Sequence, residues 1–250
     1  MIERDADAVS ALAPSGELRV AIAVGKAKSA VWTMPDPDTG EPEGVTVDLA
    51  RAIASRLDVP LRLVELGSSG AIIASANEGT WDLSFTPVDA ERKLAVLFGP
   101  DFYRGESTYL VPAGSPIRTI DEVDRDGVRV VGVEDTATIR SARRSLANTS
   151  VAGVAGIDDA LALFREGRAD ALALGTESLR SLLPGFPSAR ILDGHFHAAG
   201  TAIAVPLGHE EALAAATEMI EALKADGTVR RAFDTHGMAA AEVAPPGGYS

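Results

Sequence analysis

The sequence predicts an α/β protein with parallel sheets and crossover helices, and three observations point there. Short apolar runs alternate with stretches whose apolar residues recur every three or four positions, the pattern of strands followed by helices. That alternation runs β-α-β-α-β twice, once before and once after Ser107, which favours parallel strands joined by helices. The composition is that of an ordinary globular chain, 250 residues with 46% apolar and 24% charged. This length suits one large domain or two modest ones.

In order, the first fourteen residues read as a polar lead-in closed by Pro14-Ser15-Gly16. Leu18–Val24 is a short apolar strand. Residues 26–43 are irregular, with turn chemistry in Pro35-Asp36-Pro37-Asp38-Thr39-Gly40, where proline presets φ and glycine supplies positive φ. Thr46 is placed to cap a helix whose Leu49, Ile53 and Leu57 share one face,. Leu61–Leu66 is a second strand, Gly70–Glu78 a short helix and Asp82–Thr86 a third strand. The pattern then restarts with an extended run at Ser107–Pro112 and a helical turn at Ile120–Asp126. Val128–Val133 is a strongly apolar strand, with a helix through Ile139 and Ala142 to Leu146. A strand at Val151–Val154, a helix carrying Ile157, Leu161 and Phe164, and a strand at Ala169–Leu174 complete the second set. Gly200–Leu207 is extended, helices follow at His209–Ala225 and Thr228–Thr235, and the chain closes in a weak tail, Pro245-Pro246-Gly247-Gly248-Tyr249-Ser250.

Lysine and arginine total 23 against 36 aspartates and glutamates, a net charge of −13. So acidic a chain repels phosphate backbones and anionic membranes, which argues against general nucleic-acid or membrane-surface binding. A small anion remains possible, because a local cation overrides the mean field. Cysteine is absent, which removes disulfides, thiolate metal sites and cysteine nucleophiles. No stretch approaches the ~20 apolar residues of a membrane helix. Glu3, Arg4, Asp5 and Asp7 stand where a secretory signal would be basic and then apolar,. Two readings follow: a cytoplasmic chain, or a periplasmic or extracellular one whose signal has been removed. Phosphate-binding glycine loops, a serine elbow, the HExxH motif and a dinucleotide fingerprint after the first strand are all missing. No cofactor is expected.

Ligands of open α/β sheets sit beyond the carboxyl ends of the strands, so post-strand residues are the ones to examine. In Asp82-Leu83-Ser84-Phe85-Thr86-Pro87-Val88-Asp89-Ala90-Glu91-Arg92 a strand ends in small polar residues and an arginine follows one turn later. The planar fork of Arg92 suits a carboxylate; the bland alternative is a surface pair with Asp89 or Glu91. Ser68-Ser69-Gly70 precedes a helix and reads as a cap or as ligand contacts. Lys26 and Lys28 form a cationic patch with Arg92 or are solvated loop residues. Trp32 is a stacking residue or packs over the sheet. His195 and His197 alternate on one strand face, but two imidazoles without a third ligand make a poor metal site, and no metal is expected.

The runs GEPEGVTVDLARAIASRLDVPLRLVEL and GTWDLSFTPVDAERKLAVLFGPDFYRGESTYLVPAGSPI, with EGRADALAL and ALKADGTVRRAFDTHG, resemble the amino-acid-type (family 3) solute-binding proteins of ABC importers. The resemblance spans roughly Gly16 to Gly237. It implies a two-lobe type II periplasmic-binding fold with a ligand cleft between the lobes: lobe 1 over residues 15–107 and 202–245, lobe 2 over 108–201, and tails at 1–14 and 246–250. Crossing segments near residues 106–109 and 200–203 would serve as the hinge. By the same resemblance Arg92 holds a ligand carboxylate, Thr86 and Ser84 line it, and Thr136, Ala137 and Thr138 supply the anion-binding turn of lobe 2. An aspartate for the ligand's amino group would fall near Gly175. This chain departs at two places: Thr136 stands where the family has glycine, and Gly175 is no aspartate, with Glu177 two residues on as a substitute. A carboxylate clamp lacking an ammonium partner favours a ligand without an α-amine. The implied partners are a small-molecule carboxylate and an ABC permease, with the chain a monomer. The alternative on the same fold is a lyase like cyclohexadienyl dehydratase, for which Glu134 and Glu177 are the acid candidates.

Overall fold

The computed structural model describes residues 6–24, 33–134 and 136–250. They form two compact units, residues 1–104 with 199–250, and residues 105–198. Two strands cross the boundary, β6 (Val96–Val111) and β11 (His197–Pro206).

The first unit is built around β1 (Leu18–Ala23), whose Leu18, Val20, Ala21 and Ile22 are buried. A strand covered on both faces reads as a near-continuous apolar run, as this one does apart from Arg19,. β4 (Leu61–Leu66) pairs with it in parallel, Leu18 opposite Leu61 through Ala23 opposite Leu66. β5 (Leu83–Pro87) lies parallel on its other side, and β11 runs antiparallel to β5 with Ala202 opposite Thr86. A small hairpin joins β2 (Met34–Pro35) and β3 (Pro42–Glu43). The crossover helix α2 (Val45–Leu57) buries Val45, Leu49, Ile53 and Leu57, one residue per turn on one face,. It stops at Asp58, whose positive φ of 54° is left-handed, and Pro60 prevents continuation. Its cap differs from expectation. Gly44 occupies the N-cap, while Thr46 lies inside the helix with its Oγ1 3.1 Å from Thr33 Oγ1. The short α3 (Ser69–Ala74) begins one residue earlier than expected and is capped by Ser68, whose Oγ accepts from Ala71 N.

The N-terminal segment is not merely a lead-in. Residues Ala6–Leu12 form α1, and Ala8 and Leu12, four apart on one face, are buried against the core. α1 packs on α7 (Glu210–Ala225), which is followed by α8 (Thr228–Thr235). The last ten residues also belong to the core unit. Val243 bridges to Tyr103, Ala244 N donates to Phe102 O, and Asp101 N donates to Gly248 O. Ser250 Oγ then donates to Asp101 Oδ2 at 2.6 Å and accepts from Gly200 N at 3.0 Å. Lys93 Nζ holds Ser250 O, and Lys224 Nζ donates to both Asp101 O and Pro245 O. The segment read as a weak tail is therefore a strap laid along β6.

The strap covers a carboxylate. Asp101 has no exposed side-chain surface, and its Oδ1 has no hydrogen-bond partner among the described residues. Burial raises its pKa above the ordinary aspartate value, against the opposing pull of Ser250, Arg104, Lys224 and Lys93. A carboxyl raised in the folded state stabilises the fold as pH falls through its folded pKa, the reverse of the usual aspartate. Asp101→Asn is expected to remove that gain, flattening the rise in melting temperature between neutral pH and the mildly acidic range. Parallel curves for variant and wild type would show that Asp101 does not titrate there.

In the second unit β7 (Val130–Val133) pairs in parallel with β8 (Val151–Val154) and β9 (Ala171–Gly175), and β9 runs antiparallel to β6. The crossover helices are α4 (Ala137–Ser145) and α5 (Ile157–Arg165). α6 (Thr176–Leu182) and the short strand β10 (Arg190–Ile191), which pairs with β6, complete it. Tyr109 packs on Phe196 with ring centres 4.5 Å apart, and burial pushes its phenol pKa up to about 12.

One device recurs in both units. In the first, Arg19 of β1 grips Asp82, the residue before β5, through Nε at 3.0 Å, Nη2 at 2.6 Å and its own backbone N at 3.1 Å. In the second, Arg129, just before β7, grips Asp170, the residue before β9, through the same three nitrogens at 2.8, 2.7 and 2.9 Å. Bidentate pairing fixes geometry as well as charge, so each lock sets the register of its first and third strands. Asp170 is held below the ordinary carboxylate range, Arg129's hydrogen bonds being the main cause.

Candidate functional site

The site grows from the end of β5. Pro87 ends the strand because it has no N–H to give the ladder. The chain then turns so that Asp89 Oδ1 accepts from Arg92 N at 2.9 Å, capping a short 3₁₀ turn over Arg92–Leu94. The cap sends the Arg92 side chain back along the strand. Nη1 donates to Thr86 Oγ1 at 2.6 Å and to Pro87 O at 3.1 Å, and Nη2 donates to Ser69 Oγ at 2.9 Å. Nε lies 3.3 Å from Asp89 Oδ2. The guanidinium thus joins the end of β5 to the start of α3, with side chains of Arg92 and Asp89 17% and 26% exposed.

Arg92 thus pairs with Asp89, as the bland alternative has it, and it also gathers the post-strand hydroxyls. A hydroxyl that accepts from an arginine retains its own proton to donate. Ser69 and Thr86 are so arranged, although Thr86 is fully buried and Ser69 only partly. Ser84 has another job: its Oγ donates to Ala21 O at 2.9 Å, tying β5 to β1. Ser68, not Ser69, is the helix cap, which frees Ser69 for the arginine.

In the second unit, Thr136 is the N-cap of α4. Its Oγ1 accepts from Ile139 N at 3.1 Å and donates to Val133 O at 2.8 Å. Ala137 opens the helix, and Thr138 Oγ1 lies 3.0 Å from Ser107 Oγ. Gly175 caps α6, and Glu177 in its first turn is ion-paired to Arg180. Glu134 faces Arg143, Nη2 to Oε1 at 2.5 Å, and is 41% exposed. His195 Nδ1 is 3.1 Å from Glu106 Oε1. His197 has its pKa lowered, first by burial and then by Arg144, His195 and Arg140. Among the described residues there is no group of three or more metal-ligating side chains, nor a helix long and apolar enough to cross a membrane. Lys26, Lys28, Trp32 and Asp135 lie outside the described residues.

An arginine fork seated on hydroxyls beyond a strand end has the shape and charge to hold a small carboxylate. A profile of the bacterial extracellular solute-binding proteins, family 3, matches residues 22–239, and this chain belongs to that family. It is 23% identical over 170 residues to the glutamine-binding protein of Geobacillus stearothermophilus, a match covering 66% of this chain and 64% of that protein. It is 22% identical over 206 residues to the ABC transporter glutamine-binding protein of Bacillus subtilis, covering 81% and 75%. The crystal structure of an ancestral amino acid-binding protein, a precursor of cyclohexadienyl dehydratase, shares the fold with TM-score 0.74 at 21% identity, over 91% of this chain and 97% of that one. The fold is the type II periplasmic-binding fold, and the protein is a solute-binding protein.

Proposed function

We propose that this protein captures a small carboxylate, amino acids foremost, outside the cytoplasmic membrane and delivers it as a monomer to an ABC permease. The observation that carries this reading is Arg92 held between Thr86 and Ser69 at the end of β5. In this reading Arg92 and Ser69 touch the ligand, Thr86 orients Arg92 from within the core, and Ser84 serves the sheet. In the second unit, Thr136, Ala137 and Thr138 stand at the start of α4 and Glu177 in the first turn of α6. The names of the two glutamine-binding relatives make L-glutamine the first ligand to try.

A thermal-shift screen of amino acids, keto acids and aromatic carboxylates tests the proposal, with mass spectrometry of each mixture afterwards. A ligand at about a hundred times its Kd stabilises by about 2.7 kcal/mol, which at this size is roughly 5–10 °C. At least one carboxylate is expected to give such a shift and to be recovered unchanged. A ligand recovered as a decarboxylated or dehydrated product would instead make the chain a lyase.

A further inference from the structure

We propose that Ser250 and Lys93 are positioning residues of the Arg92 site: through them the strap holds the turn that aims the guanidinium. This rests on the reading of Arg92 as the carboxylate anchor. Between Val88 and Val96 no residue is buried, and Leu94 is 80% exposed. The turn is a single 3₁₀ stretch of three residues, a form with poorer hydrogen-bond geometry than the α-helix. It therefore has no buried apolar side chain to fix where Arg92 begins. Its place is set by hydrogen bonds.

Some of those bonds close a ring through the strap. At the entry of the turn, Val88 N donates to Gly200 O at 2.9 Å. Gly200 N donates to Ser250 Oγ at 3.0 Å, and at the exit Lys93 Nζ donates to Ser250 O at 2.7 Å. Arg92 stands inside the ring, next to Lys93. The Ser250 hydroxyl is itself oriented, because it gives its proton to Asp101 Oδ2 at 2.6 Å and keeps its lone pairs for Gly200 N,. One residue, 157 positions from Lys93, thus ties both ends of the turn together. The fork of Arg92 spans Thr86 and Ser69 at 2.6 and 2.9 Å, and such a constellation works only while its base is held within about 0.5 Å. Opening the ring lets that base drift, which costs affinity as well as stability.

Amide hydrogen exchange of the whole chain, with no solute added, reads this hold at Val88, Lys93, Leu94 and Ala95, whose N–H groups are bonded at the turn,. Ser250→Ala and Lys93→Met are each expected to speed exchange there about fivefold, the effect of losing one ordinary hydrogen bond. Ser250→Thr and Lys93→Arg, which keep the hydroxyl and the cation, are expected to exchange as wild type. Ile53→Val thins the core at α2, away from the ring; it should lower the melting temperature and leave those amides unchanged. Titration calorimetry follows with L-glutamine, then with each carboxylate of the screen. Ser250→Ala and Lys93→Met are expected to bind about fivefold more weakly, and the conservative pair as wild type. Unchanged exchange in both variants, or an equal rise in Ile53→Val, would overturn the proposal. Faster exchange at wild-type affinity would overturn it too, leaving the strap a structural tie. Wild-type affinity in Arg92→Ala, or failure of every carboxylate to bind, would instead remove the anchor that the strap is proposed to position, whatever the exchange rates show.

Discussion

Arg92→Ala is expected to weaken carboxylate binding by about 3 kcal/mol, roughly a hundredfold, since hydrogen bonds to charged groups are each worth about 1.5–3 kcal/mol. The loss has two sources. The ligand's carboxylate forfeits its cation, and Asp89 Oδ2 loses the guanidinium nitrogen 3.3 Å away. Arg92→Lys is the sharper variant. It keeps the charge but cannot span Ser69 and Thr86 at once, as the planar fork does at 2.9 and 2.6 Å,. It is therefore expected to fall between alanine and wild type. Titration calorimetry with the best ligand of the screen measures both, and wild-type affinity in Arg92→Ala would reduce the residue to a structural brace.

Gly200→Ala is expected to be the most damaging single methyl in the first unit. A Cβ at Gly200 would stand 2.2 Å from Asp101 Oδ1 and 2.3 Å from Cγ and Oδ2. Asp101 cannot retreat, being buried and held by Ser250 at 2.6 Å. Overpacking of this kind costs about 1–3 kcal/mol, and the upper end corresponds to roughly 6–12 °C in melting temperature at this size. Gly153→Ala is the informative contrast. Its Cβ would overlap Glu134 Oε1 more severely, at 1.6 Å. The Glu134 side chain, however, is 41% exposed where that of Asp101 is sealed, so a smaller loss is expected despite the worse overlap. Equal melting temperatures for the two variants would show that the strap does not hold Asp101 in place.

Strands β1 and β4, the strand at Val151–Val154, and helices α7 and α8 were legible to within a residue or two because each strand is mostly apolar and each helix repeats its apolar residues every three or four positions,. Of the elements that were not, three are instructive. α1 is under two turns long and mostly polar, with its burial confined to Ala8 and Leu12. α6 follows β9 with no cap residue other than Gly175. β6 extends sixteen residues, yet Gly99, Pro100, Asp101, Arg104 and Gly105 break any alternation between Val96 and Gly105. At the site, Arg92 and Thr86 were visible because they lie six residues apart at and beyond a strand end, with Asp89 read there only as a surface partner of Arg92. That Ser69 rather than Ser84 completes the cluster depends on where α3 begins against β5, and on Ser84 facing β1. Asp101 and Ser250 are 149 residues apart, and no local pattern joins them.

The strap also limits how this protein may be shortened or labelled. A truncation that stops before Ser250 would take the hydroxyl from Asp101, the acceptor from Gly200 N and one ligand from Lys93. Cutting back past Pro245 would remove an acceptor from Lys224 as well. Trimming these last residues as dispensable coil would therefore flood a sealed acid with water at the very strand pair where the polypeptide leaves one unit for the other. Dyes and cross-linkers are better mounted on solvent-facing turns such as Asp38.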